Sequence, residues 1–559
     1  MAHQLFTSIK VLLVGCLLTS SMSGLAQEKG QLSGDLQFFG NLFLRDSAIG
    51  AFGFPQYEEQ FVGSDVWLNL TYAYEGYELG LRFDAFNNSN LRNPSGSFTG
   101  QGIGRWYVKK QLDRLHISVG YLYDQVGTGA IFRAYEQRPL FIDQALIGLR
   151  LRYNITDDLQ LKVLAGRQRN IFDIHESFIK VGNLDWFKYF ENGLSIAPGI
   201  GITNRTLSGD QMDNLVNILQ GYVEEERFSP TFNTYAMTAY NNLSIGGFNW
   251  YIEAAYKTED SFFNPELTRD LGNGEKVTGG RFVSNDGFFV YTSIGQNIGR
   301  FSVNLEYKRT ENFELRTDPT LQQFDGLMNY FPPMSRQNTY QLTARYIPAF
   351  LFLGEEAFQG DIRYAPSRKL NFLLNFSHIN DLEGIPLYRE IFTQVNWKMS
   401  RTKQLIAGIQ LQRYDRLRYE QEGEGFVETL IPYMDFLYKF DKRKSVRVEA
   451  QYMYTGADIF GFDFRDFGDW LYGLVEVGFA PHWIFTVSSM YNVNPFHKGP
   501  DGEVQDQINY PSFGAVYINK GNRYGLRYVK QVEGVVCSGG ICRLEPAFSG
   551  VRLEVNSTF

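Results

Sequence analysis

The densest run of chemically able side chains is Tyr123-Asp124-Gln125-Val126-Gly127-Thr128-Gly129, followed by Arg133-Ala134-Tyr135-Glu136-Gln137-Arg138 and Asp143. Three carboxylates, two guanidiniums and two loop glycines stand within 24 residues (120–143). Guanidinium and carboxylate forks form paired hydrogen bonds, so these spacings point to a loop held in shape by ion pairs. Such a loop either folds into a lumen and gates it or simply fills space there.

Cys537 and Cys542 enclose Ser538-Gly539-Gly540-Ile541, and the Gly-Gly tip between two apolar runs reads as a hairpin loop. In an oxidising compartment the pair is expected to form a small disulfide. The spacing is not that of a C-x-x-C redox motif, and no further metal ligands stand nearby. Two acidic stretches remain. Asp458, Asp463, Asp466 and Asp469 alternate with phenylalanines, and Asp501, Glu503 and Asp506 flank Pro500 and Gly502. Oxygen-rich loops of this kind are able to hold Ca2+, but neither has helix-loop-helix spacing, and solvated external loops are the plainer reading. No other cofactor is expected.

Enzyme chemistry finds little support. Histidines 116, 175, 378, 482 and 497 are scattered, His175-Glu176 lacks a second histidine at Ile179, and no Gly-x-Ser-x-Gly elbow occurs. His116 and Ser118 share one face of a strand, as many pairs in a polar lumen do. The expectation is that the chain is not an enzyme. A hydrolase or acyltransferase assembled from rim residues is a lesser alternative.

The elements that must position these residues are strands. In Val66–Tyr74, Glu75-Gly76, Tyr77–Phe86, the residues Tyr77, Leu79, Leu81, Phe83 and Ala85 fall on one face, with Glu78, Arg82 and Asp84 on the other. That is a hairpin with an apolar outside and a charged inside. Residues 159–163, 301–308 and 446–452 alternate in the same sense, so Arg82, Asp84, Arg150, Arg152, Lys162 and Glu449 are expected to face inward. Short turns such as Asp157-Asp158 and Lys520-Gly521 alternate with long polar connections at 47–60, 87–102, 124–142, 204–229, 258–284, 310–336, 416–426, 457–467 and 493–507. This sorting is what a membrane barrel requires. The chain closes on Gly550, Val551, Leu553, Val555 and Phe559, an alternating strand with an aromatic terminus, resembling the signal by which outer-membrane barrels reach their assembly machinery.

Composition agrees. The 88 aromatic residues fit a lipid face with interfacial girdles, and a slightly negative mean hydropathy follows when lipid-facing and lumen-facing residues cancel. Residues 1–26 read as an export signal: one charge at Lys10, an apolar run Val11–Leu18, and Gly24-Leu25-Ala26 before Gln27. A lipobox at Leu13-Val14-Gly15-Cys16 is the competing reading. The remainder, 27–559, carries 52 basic and 61 acidic residues, a balance that argues against a nucleic-acid partner. No long segment precedes the first strand near Leu36 to supply a separate plug domain.

Counting strands gives 25, an odd number that cannot close an antiparallel barrel with both ends on one side. Treating Gln337–Tyr346 and Gln359–Ala365 as one bulged passage restores 24, within a range of 22 to 26. The fold expected is a single all-β antiparallel transmembrane barrel with short periplasmic turns and long external loops, in the outer membrane of a Gram-negative envelope.

The run Tyr123–Gly129 with Arg133–Leu140 and Ile142-Asp143 resembles a family of outer-membrane proteins carried as a domain of unknown function, from bacteria that often possess the type IX secretion route. The resemblance covers roughly residues 115–155 and implies an outer-membrane barrel without catalytic residues. Two functions follow: a porin-like channel for polar solutes, or a structural subunit of a secretion or assembly complex. The latter would have its lumen blocked by the 120–143 and 310–336 loops, and other outer-membrane or periplasmic proteins as partners. A fatty-acid channel needs an apolar inner path, for which the inner faces read as too charged.

Overall fold

A computed structural model describes residues 30–272, 275–322, 325–420, 425–456, 468–495, 506–538 and 541–559. Among these, 24 antiparallel strands form one closed sheet. Each strand pairs with its sequence neighbours, and the last, Phe548–Thr558, pairs with the first, Gln31–Phe43, from Asp35 opposite Thr558 to Phe43 opposite Gly550. Lys188–Tyr189 extends the passage Asp173–Trp186 along the same partner, Leu194–Thr206, so it adds no strand.

Closure depends on small residues at the seam. A Cβ on Gly550 would lie 2.0 Å from the carbonyl oxygen of Leu42, and one on Gly34 would lie 2.6 Å from the ring of Phe559. Phe559 also exchanges both backbone hydrogen bonds with Gly34, at 2.9 and 3.0 Å. The terminal aromatic is therefore part of the sheet and covers the first strand from outside. Closing the ring satisfies the edge N–H and C=O groups that a bilayer cannot.

The alternation holds on the strands expected to carry it. Tyr77, Leu79, Leu81 and Phe83 are exposed, whereas Arg82 and Asp84 between them are 2% and 1% exposed. Exposed Trp186, Trp397, Trp483, Phe440 and Tyr189 crowd the short-turn rim as an aromatic girdle. No helix among the described residues is long and apolar enough to cross a membrane.

The structure corrects three expectations. Gln337–Tyr346 is not part of a strand. One long connection runs from 312 to 353, and the next strand is Gly354–Ser367. Its alternating apolar residues, including Tyr340, Leu342 and Tyr346, are buried by other segments rather than by lipid. Second, the strands Phe248–Asn264 and Arg281–Ile298 run into the supposed 258–284 loop, pairing Asp260 with Asn285 and Ser261 with Ser284 beyond a bulge. Polar residues on both faces there erase the period-2 signal. Third, the 204–229 loop contains a helix, Gly209–Gln220. Ser208 and Gln211 form a reciprocal cap, and Met212, Leu215 and Leu219 turn inward. The sequence signal for this helix is Ser208 three residues before Gln211, ahead of Met212, Leu215 and Leu219 at helical spacing.

Candidate functional site

Two connections, 123–145 and 312–353, fold into the lumen at the long-loop end and pack against the wall. The first turns back into the barrel as soon as its strand ends at Leu122. Asp124 then lies 2.8 Å from each of Arg150, Arg152 and Lys162, all on the wall below. Burial pushes its carboxyl up, but Lys162 and Arg152 outweigh this and hold it at about 2. Four residues on, the Thr128 amide donates to Glu253 at 2.8 Å, so the loop spans from one stretch of wall to a strand five places round. Gly127 sits at φ 54° against that carboxylate, where a Cβ would come within 2.4 Å of it; only glycine fits.

The return limb is clamped by a wall arginine. Arg82 makes a bidentate pair with Asp84 at 2.7 and 3.0 Å and reaches Glu136 at 2.6 Å and Asp143 at 2.7 Å. Arg169 pairs with Asp84 at 2.9 Å and with Asp143, while Arg138 donates to Glu136 at 2.9 Å and to Gln37 at 2.6 Å. The Tyr123 hydroxyl donates to Asp143 at 2.8 Å, and burial beside that carboxylate raises its own pKa far above the usual phenol value. The structure thus brings together nine of the eleven loop and lumen residues read from sequence: Asp124 with Arg150, Arg152 and Lys162, and Arg82, Asp84, Glu136, Arg138 and Asp143 in a second cluster, while Glu449 lies apart beside Arg447 and Gln451.

Arg133 departs from the expectation of an ion pair. Its guanidinium lies between two rings, 4.2 Å from the centre of Tyr135 and 3.8 Å from that of Tyr330. Tyr330 belongs to the second connection, and the two loops are further joined by Arg133 N–H to Met328 O at 2.8 Å and Tyr330 N–H to Gly129 O at 3.0 Å.

The 312–353 loop crosses the remaining space. Lys257 donates to Glu314 O, Lys308 to Pro332 O, Gln168 to Leu327 O and Gln410 to Thr343 O, while Leu342 N–H donates to Gln451. Wall side chains therefore satisfy the backbone of a segment that has little regular structure of its own. Between these tethers lies an apolar core. Phe331 stacks on Phe289 at 4.8 Å and meets Phe313, Phe350 and Phe352 edge-on or tilted. The same buried cluster includes Val126, Ile131 and Phe132 of the first loop, and Leu164, Ile379, Ile431, Trp470, Tyr510 and Phe548 from strands all round the barrel. The inner faces of the wall are charged, as expected, and the loops add an apolar centre between them.

The short-turn half differs. Inward-facing Asn371, Arg527, Gln394 and Glu476 remain exposed or half-exposed. A polar vestibule lies behind the plug.

At the long-loop rim, a cavity of about 540 Å³ sits above the ion-pair cluster, bounded by Asn93, Phe141, Gln144, Ile171 and Arg543. His116 and Ser118 form no dyad; Ser118 accepts from Arg150 at 3.1 Å. The hairpin Gly534–Ser538 with Ile541–Glu545 sets Cys537 directly opposite Cys542 in backbone register, their side chains lying outside the described residues. Of the acidic loops considered for Ca2+, only Asp469 and Asp506 are described. The Asp469 carboxylate accepts from the Tyr452 hydroxyl and the Thr455 amide, both at 2.9 Å. The export signal at 1–26 also lies outside the described residues.

Comparison with solved structures returns large outer-membrane barrels. The P pilus usher PapC translocation pore is 9% identical, with 94% of this chain and 99% of that chain covered at a TM-score of 0.44. The ferric citrate transporter FecA is 10% identical (95% and 79% covered, TM-score 0.44), and the ferric-catecholate receptor Fiu from E. coli K12 is 11% identical (95% and 82%, 0.39). Likenesses at these scores carry no argument about cargo or mechanism. A search of curated protein sequences finds no match. A family model does match, over residues 5–559, and the chain belongs to that family, a family of unknown function designated DUF6029.

Proposed function

We propose that this protein is an outer-membrane barrel that is closed at rest and serves as a membrane-embedded structural or docking subunit, rather than as an open porin. One observation carries the reading: a single buried apolar cluster runs from both inward loops to strands all round the barrel. Interiors packed in this way have no continuous water path. The tethers are numerous, and their loss would leave buried polar groups unpaired, which favours a permanent plug over a lid. Partners would be other envelope proteins, a secretion or assembly complex among them, together with the machinery that inserts the closing strand.

A gated conduit for polar solutes is the second reading, favoured by the solvent-open vestibule around Arg527, Asn371 and Gln394 behind the plug. The two separate in a planar bilayer. Folded, heat-modifiable protein that gives no steps, and that co-purifies with envelope proteins in mild detergent, supports the closed subunit. Steady large steps from the intact protein would refute it. Disulfide formation between Cys537 and Cys542 is part of the proposal, since direct opposition in a hairpin puts two Cα atoms within bridging range; a mass shift of two hydrogens on reduction tests it.

A further inference from the structure

We infer that the rim cavity of about 540 Å³ is a binding site for a small, uncharged, polyhydroxylated solute, a mono- or disaccharide, taken up from the long-loop side. The inference concerns the rim alone and holds whether or not the plug moves.

The unmet hydrogen bonding points to a ligand. Gln144 is 4% exposed and lines the cavity, yet neither its Nε2 nor its Oε1 has a partner among the described residues. Gln168, 3% exposed, uses its Nε2 on Leu327 O and leaves Oε1 unpartnered in the same wall. Buried amide groups are rarely left so, because an unmet donor or acceptor has lost its water without gaining a partner. Two acceptors and one donor in the cavity wall are thus without partners. Hydroxyl groups, each able to donate and accept, answer such a set.

The charge of the cavity selects against ions. Five arginines and five carboxylates line it, and the most buried of them, Arg82, Asp84 and Arg169, are already paired with one another. No surplus field is left to favour an anion or a cation. The remaining surface suits a sugar: Phe141 and Tyr419 add half-buried aromatic residues to the lining, and Asn93, Ser95 and Asn170 add neutral polar ones. The volume lies in the range of small-molecule sites.

The backbone around the cavity is held in costly conformations. Ile171 occupies the left-handed region at φ 55°, an outlier for a β-branched residue, and Phe141 does so at φ 57°. Both line the cavity, and the Ile171 carbonyl is fixed by Arg169. Residues held this way persist only where the surroundings over-determine them, and such places cluster at binding sites.

The test is isothermal titration of the detergent-purified full chain with maltose, cellobiose and sucrose, alongside glucosamine and glucuronic acid as charged probes. At least one neutral disaccharide should bind saturably, with an affinity unchanged between 50 and 500 mM NaCl, roughly the range over which a charged contact would be screened. Gln144→Leu removes both unmet groups while keeping the volume. Because Gln144 tethers nothing through its side chain, this variant should stay heat-modifiable and bind about tenfold more weakly or worse. A second variant, Asn93→Trp, narrows the mouth without touching Gln144 and should also weaken binding. The inference is overturned by absence of saturable binding with all three neutral sugars, by unchanged affinity in both variants, or by a salt-sensitive preference for a charged probe.

Discussion

The two halves of the lumen are built from the same strands, with the same inward alternation, and end in opposite states. Inward side chains at the long-loop end, such as Arg82, Lys257, Lys308 and Glu253, are almost wholly buried and tethered to loops. Those at the short-turn end, such as Arg527 and Asn371, face the same cylinder and stay exposed. The difference lies in what lies opposite them. A barrel of this width cannot fill its interior from its own strands, so an inward residue is buried only where another segment comes to meet it. The plug is therefore a property of two connections, and the wall is adapted to it only where they reach.

The comparison can be broken most completely by removing the longer loop. Replacing residues 316–348 with a short Gly-Ser linker should turn a silent barrel into one giving large conductance steps in a planar bilayer. Continued silence from folded protein would mean that the 123–145 loop alone seals the lumen. The next largest effect is expected from Arg82→Met. It leaves Asp84, Glu136 and Asp143 short of a buried partner, which typically costs about 3–5 kcal/mol. A fall in the temperature of heat modification checks it, and Arg82→Lys should restore only part, since an ammonium cannot reproduce the bidentate geometry.

Acid sharpens the contrast further. Asp124 has a folded pKa of about 2, below the 3.8 of an unperturbed carboxyl. Its contribution is therefore fully present above about pH 4 and is lost as pH falls through 2. The shift corresponds to about 2 kcal/mol. Unfolding midpoints measured from pH 5 to pH 2 should show this loss in the wild type, and Asp124→Asn should flatten it. At the lipid face, Leu553→Asp should impair insertion by somewhat less than the roughly 2–4 kcal/mol of a mid-membrane Lys or Arg, read as a reduced heat-modifiable fraction in membranes. The smallest effect is expected in the open half. Arg527→Ala should leave stability within about 0.5 kcal/mol, and a larger loss would show that this half is not solvent-filled.

Much of this protein is determined by local sequence. Period-2 alternation at Tyr77–Ala85, the Glu75-Gly76 turn and the terminal run to Phe559 each specify their strand without help from distant residues, because a strand's two faces are set by its own backbone geometry. The ion-pairing residues of the 123–145 loop were legible too, since carboxylates and arginines at that density have few other uses in a lumen. What only the tertiary structure decided is where the chain stops following the wall. Gln337–Tyr346 alternates as a strand does, yet folds inside, because the loops, not lipid, provide the apolar surroundings for Tyr340 and Leu342. Arg133 was free to choose an acid and instead took the rings of Tyr135 and Tyr330, the latter nearly 200 residues away. Alternation tells a residue which side it faces, but only packing between distant segments determines what it will meet there.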